Sequence, residues 1–547
     1  VKRNPASLLL VVAIILVGYG LLTWDLDANS VWTDEEATLD VVSQPTLAAF
    51  FDDMATREGR PPLYYLLLRG WIAISGHSDF SVRYLSVLSS VVGISLAFAL
   101  GHALLGHIGG LLTALLTITA PYYILYGRMI RAYPLTVVVG LASCFFFVLL
   151  LKRDRPCRWV GYGLASIALM YTDYFVFALL AAQNFTWLAT LGWRRLSWKK
   201  WGLTQALLVI VFAPWVPSVI GQGIKYSGEA DFAYGLSGYA VKTLYPFYSF
   251  AIGETIFPWH LAALIGVPLV LGLALWGYVV FYRRDRIAFF FTALAFAIPL
   301  LFTIFVVSTW LVPVLPFVTF GSRMMFAGPL LYLPVAAGLL DLRRPPWPVL
   351  LLAVVCTRTF ALDNYYNNRD FHNAIYIVPT REIAAIVTTR AQPGDIVVAN
   401  SNIPLDYYYT GSAPLFYFEQ SGEIQAYIEQ ASPVRVWVIN YERDRSTAVN
   451  PLGTFVASIQ DEYTLVESNN YVPQDPLYAR VKVALLNHAG YEYKSSLFLY
   501  VRADEQEGHL STPHTQRGGF GVQAAFAAPI VGLLSGFRTL AEGRTPA

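Results

Sequence analysis

The sequence predicts a polytopic α-helical membrane protein with a C-terminal α/β domain outside the bilayer, and three observations predict it. Of 547 residues, 56% are hydrophobic and only 14% are charged, and the mean hydropathy of +0.50 is far above that of a soluble domain this long. Apolar stretches long enough to cross a hydrocarbon core of about 30 Å recur from the N-terminus to residue 362. Beyond them the chain turns polar and alternates between helical and strand-like patterns.

The first element is residues 1–23. Lys2 and Arg3 precede an apolar run, as in a secretory signal, but no clear small-x-small cleavage site follows, so a retained first transmembrane helix over 6–23 is expected. Further spans are expected near 82–105, 107–126, 132–151, 159–172, 174–192, 202–220, 259–281, 287–310, 323–340 and 347–362. That makes about eleven transmembrane helices by the length criterion. Basic clusters at Lys2/Arg3, Lys152/Arg153/Arg155/Arg158, Arg194/Arg195/Lys199/Lys200, Arg283/Arg284/Arg286 and Arg343/Arg344 all fall on one side of this threading. By the positive-inside rule that side is cytoplasmic. The opposite side receives the loop 24–81, the turns near 127–131 and 173, the loop 221–258, the segment 311–322 and everything after about 363.

Three domains are expected: a transmembrane domain over 1–369, an extracytoplasmic α/β domain over 370–505 and a tail over 506–547. The α/β domain rests on a helical pattern ending at Pro393-Gly394-Asp395 and on strand-like runs at 396–399, 434–440 and 495–503. In the tail, 521–540 reads as an interfacial amphipathic helix or a twelfth span. Net charge is only +2 and the basic residues fall in short clusters, so no nucleic-acid surface is expected. Cys144, Cys157 and Cys356 have neither metal-ligand nor CxxC spacing. No lysine or carboxylate sits mid-span, where an ion pathway or proton relay would need it.

The polar residues gather instead on the outer face. In "SVWTDEEATLD" (30–40), Asp34, Glu35 and Glu36 follow one another. Two readings are open: an acidic first turn of a surface helix, or a carboxylate that takes a proton from an incoming hydroxyl, with Asp34 the candidate base. "EGRPPLYYLLLRGW" (58–71) places Arg60 before two prolines and Tyr64 at the start of an aromatic-rich helix. "YGRMIRAYPL" (126–135) brings Arg128, Arg131 and Tyr133, and "FGSRMMF" (320–326) brings Arg323. Arginines at this depth either anchor at lipid headgroups or bind a substrate phosphate bidentately. In "NSNIPLDYYYTG" (400–411), Asn400, Asp406 and Tyr407 to Tyr409 are types that suit packing or a sugar acceptor.

In order, a large first loop with "DE", then "RPPLYYLLL", "R-x-Y-x-L", "APWVP" (213–217) and an outer C-terminal domain resemble the GT-C membrane glycosyltransferases. The pattern is most similar to the bacterial branch related to dolichyl-phosphate-mannose protein mannosyltransferases and the lipid A aminoarabinose transferase. The resemblance implies a GT-C fold in a bacterial inner membrane, with the active site facing outward. It further implies sugar transfer from a polyprenyl-phosphate donor to a hydroxyl of a lipid, glycan or protein acceptor, with inversion. Asp34 then corresponds to the family's base, with Glu35 beside it, and Arg131, Arg323, Arg60 and Arg128 face the donor phosphate. Two positions depart from the family: Arg60 replaces a frequent His, and Met129 replaces a frequent Glu. Glu35, Glu254 in "GET" or Asp173 in "YTDYF" are candidates to supply the second carboxylate, and Asp173 reads equally as a helix cap. No cofactor is implied with certainty; the adjacent Asp and Glu suit Mg²⁺ or Mn²⁺, so a divalent metal stays open. Two other classes compete. A transporter or flippase of lipid-linked solutes would show repeats and midplane polar groups, and a non-catalytic relative would bind lipid-linked sugar without turnover.

Overall fold

The computed structural model describes residues 5–58, 60–190, 197–227, 236–305, 320–342, 347–400, 403–442, 451–471, 475–486 and 494–508. The basic clusters at 2–3, 194–195 and 343–344, most of the segment 311–322 and the tail helix over 521–540 lie outside these described residues.

Helix α1 (Pro5–Thr23) leads into a first loop that is itself helical, with α2 (Thr33–Val42), α3 (Leu47–Asp53), a π-helical turn (Met54–Glu58) and α4 (Leu63–Ser75). Pro61 and Pro62 stop the chain before α4 because neither can donate to a helix interior. The inner faces of α2, α3 and α4 close over Val31, Leu39, Phe50, Met54, Tyr64, Tyr65 and Leu68, making a platform with its own core. Helix α5 (Asp79–Ile118) holds two expected spans. It breaks at Gly106, where φ is 79°, a conformation open to glycine. A methyl at Gly101 would stand 3.0 Å from the Gly109 carbonyl, so the two halves fold back on each other.

There follow α6 (Pro121–Gly127), α7 (Tyr133–Lys152), α8 (Pro156–Met170), α9 (Val176–Thr190), α10 (Trp198–Phe212), α11 (Val216–Ser227), α12 (Leu236–Ile252), α13 (Leu261–Arg284), α14 (Arg286–Leu301), α15 (Phe320–Arg323), α16 (Ala327–Asp341) and α17 (Trp347–Tyr366). Every segment expected to span carries helix, and five of the described helices are by themselves long and apolar enough to cross a membrane. The chain is an integral membrane protein. At the centre lies α16, which crosses α13 where Gly277 meets the Pro334 backbone and Gly338 meets Leu273. Small residues let helices approach closely where no hydrophobic force drives them together.

One cation does sit inside an expected span. Arg358 of α17 is fully buried and has no carboxylate partner among the described residues. It donates to the carbonyls of Leu116 (2.7 Å), Phe250 (3.0 Å) and Ala251 (2.9 Å) and lies over the Tyr332 ring. Those carbonyls close α5 and α12, so the negative ends of two helix dipoles replace a counter-ion. This arginine holds helix ends together.

After α17 come α18 (Thr380–Arg390), β1 (Ile396–Ala399), α19 (Leu405–Tyr408), β2 (Leu415–Tyr417), α20 (Ser421–Ala431), β3 (Arg435–Glu442), α21 (Pro451–Ile459), β4 (Tyr463–Tyr471), α22 (Pro476–Leu486) and β5 (Lys494–Arg502). The sheet order is β2-β1-β3-β5-β4, with β1 parallel to β2 and β3, and β5 antiparallel to β3. Val397, Ala399, Trp437 and Ile439 fill one face and Ile396, Val398, Val436 and Val438 the other, the period of two that a sheet covered on both sides requires. The three expected strands are β1, β3 and β5, whereas the short β2 and the exposed β4 carry too little apolar patterning to be read. The α/β portion belongs to the same compact unit as the helices, which runs to Val501; a second unit begins at Arg502 and is described only to Gly508.

Candidate active site

The three carboxylates occupy the first turn of α2, as its dipole favours. Successive helical residues project about 100° apart, so each meets a different environment. Asp34 is 43% exposed, with Oδ2 3.6 Å from Arg131 Nη2. Arg131 Nη1 also donates to the Asp34 carbonyl and to Thr38 Oγ1, at 2.7 Å each, so one guanidinium fixes both the carboxylate and the turn that bears it. Glu35 points the other way. It is buried against Arg83 (3.0 Å) and accepts from the Ile130 amide (2.8 Å), which leaves it tying α2 to the 128–131 turn and does not bring it to the open side with Asp34. Burial, with Asp40 and Asp406 adding to it, pushes the Glu36 carboxyl up to about 7.

The sequence motifs did not single out Glu58, yet it organises the site. Its Oε1 lies 3.3 Å from Arg60 Nε and 3.4 Å from Arg131 Nη2 and accepts from the Tyr65 hydroxyl. The acidic partner that "R-x-Y" lacks at Met129 thus comes from the first loop, 73 residues earlier in the chain. The signal available was the E-x-R-P-P spacing, in which the acid stands two residues before the arginine that the prolines follow. Arg60 and Arg323 lie over the Tyr133 ring, each 5.8 Å from its centroid. The site is therefore a cluster of the buried Arg131 and the partly buried Arg60 and Arg323 around Glu58 and Tyr133, with Asp34 at its open edge. Arg60 Nη1, Arg131 Nε and Arg323 Nε are buried with no hydrogen-bond partner among the described residues. A buried donor without an acceptor is costly, and three in one cluster leave it with unmet capacity for hydrogen bonds to an anion.

Other expected site residues fall elsewhere. Arg128 donates to the carbonyls of Trp24 (2.7 Å) and Asp25 and lies over Tyr365 and Tyr366. It lines a cavity together with Trp32, Arg83 and Asn368, and none of Arg60, Arg131 and Arg323 is among the lining residues. Tyr64 is core, its hydroxyl paired with Ser86 at 3.1 Å; its neighbour Tyr65 reaches the site, because one helical step turns the side chain by more than a quarter circle. Asp173 accepts from the Phe175 amide at 2.9 Å, which is the capping alternative. Glu254 lies one layer behind: its oxygens accept from Ser249 (2.6 Å) and Tyr126 (2.5 Å), and Tyr126 packs edge-on against Tyr133. Burial pushes its carboxyl up to about 7. Gly253, at φ 100°, ends α12 and turns Glu254 inward. Tyr407 and Tyr408 bond Asp79 at 3.1 and 2.7 Å, and Tyr409 bonds the Ala413 carbonyl.

The adjacent Asp34 and Glu35 do not fit a shared divalent cation, because each is paired with a different arginine, Asp34 with Arg131 and Glu35 with Arg83. Among the described residues no group of three or more His, Cys, Asp or Glu side chains is placed to hold a metal ion.

A helical membrane array, a helical first-loop platform and an α/β portion packed beside it define an integral membrane protein whose architecture resembles that of the GT-C glycosyltransferases. Residues 59–220 match the family model described as dolichyl-phosphate-mannose-protein mannosyltransferase. Among solved structures, ArnT from Cupriavidus metallidurans bound to undecaprenyl phosphate superposes with a TM-score of 0.56 at 12% identity, over 91% of this chain and 98% of that one. Its apo state gives 0.54 at 13% identity, over 90% and 97%. No curated protein matches the sequence significantly. The fold is that of ArnT across nearly the whole chain.

Proposed function

We propose that this chain transfers a sugar, hexosyl or pentosyl, from a polyprenyl-phosphate carrier to an acceptor hydroxyl on the extracytoplasmic side of a bacterial inner membrane. The observation that carries the reading is the partly open carboxylate of Asp34 held at the edge of a cluster of three guanidiniums with unmet donors. The match to the mannosyltransferase model and the fold shared with ArnT, which has been solved with undecaprenyl phosphate, support it. So does the one-sided threading of about eleven spans, which sets the first loop and the α/β portion outside.

In this reading Asp34 takes the proton of the acceptor hydroxyl as its oxygen bonds to the anomeric carbon. The bond from that carbon to the phosphate oxygen breaks, and the phosphate leaves with the electron pair toward Arg131, Arg323 and Arg60. Attack and departure on opposite faces invert the anomeric centre. Charge supports a monophosphate donor. The three arginines face the two carboxylates Asp34 and Glu58, leaving one positive charge that a phosphodiester matches. When the proton reaches Asp34, one carboxylate charge disappears as one phosphate charge appears, so the local total is unchanged.

The test is purified protein in nanodiscs with a panel of undecaprenyl-phosphate sugars, wild type against Asp34→Asn. One donor should stabilise both proteins, and only the wild type should turn it over, with a loss of at least about a hundredfold in the variant. Full activity in Asp34→Asn would remove the base assignment. Stabilisation by no donor would remove the glycosyltransferase reading.

A further inference from the structure

Asp34 is held from below by Arg131, but the chain leading into its helix is held by the α/β portion. Residues 27–32 lead from the turn after α1 into α2 without helix or strand, and several of their polar groups are taken by partners distant in sequence. The Val31 amide, in a fully buried residue, donates to the Tyr408 hydroxyl at 2.8 Å. That hydroxyl in turn donates to Asp79 Oδ2 at 2.7 Å. Arg381 binds the same Asp79 oxygen and the Asp27 carbonyl (2.9 Å), and its guanidinium lies over the Tyr408 ring. The Arg381 amide donates to Ser30 Oγ at 3.1 Å. Arg83 holds the carbonyls of Asn29 (2.9 Å) and Ser30 (3.1 Å) from the other side. Tyr408 and Arg381 therefore join α18 and α19 of the α/β portion to the start of α5 and to the backbone three residues before Asp34.

We infer that Tyr408 is a positioning residue for the transfer step: through the Val31 amide it sets where α2 begins and so where the Asp34 carboxylate stands relative to the arginine cluster. None of the groups that make the clamp touches the cluster of Arg60, Arg131 and Arg323, so base placement has a second support beside the Arg131 contacts that it shares with the cluster. Removing the hydroxyl leaves a buried amide unpaired and frees the first turn of α2 to shift. A displacement of about 1 Å at a reacting group is enough to cost on the order of a hundredfold in rate.

This rests on the transfer reading, and the experiment separates the two. Tyr408→Phe keeps the ring that packs on Arg381 and removes only the hydroxyl. Its kcat should fall at least tenfold, while donor dissociation constant and donor KM stay within about twofold of wild type. Amide hydrogen exchange should speed up over residues 31–38 and not in α5 or the sheet. Arg381→Lys, which retains a cation for Asp79, should keep more of the wild-type kcat than Arg381→Met. An unchanged kcat in Tyr408→Phe alongside an active wild type would overturn the inference and leave the function intact. Parallel losses of kcat, donor affinity and thermal stability would also overturn it, since they would show a merely structural contact. A wild type that turns over no polyprenyl-phosphate sugar would overturn the function and this role together.

Discussion

Glu58→Gln is the perturbation that tests the organisation of the site most directly. Glu58 is 9% exposed and supplies the carboxylate shared by Arg60 at 3.3 Å and Arg131 at 3.4 Å. The amide keeps the volume and can still accept from Tyr65, so the change removes one charge and little else. Arg131 retains Asp34 at 3.6 Å, whereas Arg60 is left with no ion pair among the described residues. Removing one partner of a buried ion pair typically costs about 3–5 kcal/mol, because the other charge stays buried and uncompensated. The two guanidiniums then also repel each other without the anion between them. Thermal unfolding in detergent, followed by intrinsic fluorescence from the 14 tryptophans, should show a melting temperature several degrees below wild type. An added phosphate-bearing ligand should restore more stability to the variant than to wild type, because an anion bound only by the folded state stabilises it by mass action. A variant that melts with wild type, or gains nothing extra from polyprenyl phosphate, would refute the view that Glu58 keeps these arginines in place and that the cluster is an anion site.

Two further outcomes follow from buried groups outside the reaction. Arg358→Met removes donors to three helix-end carbonyls and should destabilise by about 3 kcal/mol or more; Arg358→Lys, with one compact ammonium for a fork of donors, should recover only part. Melting curves in detergent check this, and equal stability of Arg358→Met and wild type would contradict it. Glu254 is protonated to higher pH when folded than when unfolded, since burial raises its carboxyl from 4.5 to about 7. The folded state therefore binds more protons between these values, and stability falls as pH rises from about 4.5 to about 7, by on the order of 3 kcal/mol. Glu254→Gln should flatten that part of the melting-temperature profile; an identical slope in variant and wild type would assign the pH dependence elsewhere.

Much of the architecture was legible because membrane insertion is a one-dimensional problem. The length of an apolar run and the side on which its flanking arginines fall are properties of consecutive residues, and every expected span carries helix. The strands β1, β3 and β5 were visible for the same reason, as continuous apolar runs bounded by turns, while β2 and β4 lacked that contrast. The site was only half legible. Asp34, Arg131, Arg60, Arg323 and Tyr133 could be chosen from residue type, depth and order along the chain. Residue type could not show that Glu35 turns inward to Arg83, that Arg128 lines a cavity apart from the other three arginines, or that Tyr65 and not Tyr64 meets Glu58.

What the sequence determined by itself was a helical membrane protein with its polar chemistry at one rim and an α/β portion after the last span. Apolar length, period and charge placement are local and survive without knowledge of neighbours. What only the tertiary structure decided was partnership. Glu58 meets Arg131, Tyr408 meets Val31 and Arg358 meets two helix ends, pairings across tens to hundreds of residues. A buried charge is tolerated only where distant backbone and side chains converge on it, and that convergence exists only once the chain is folded.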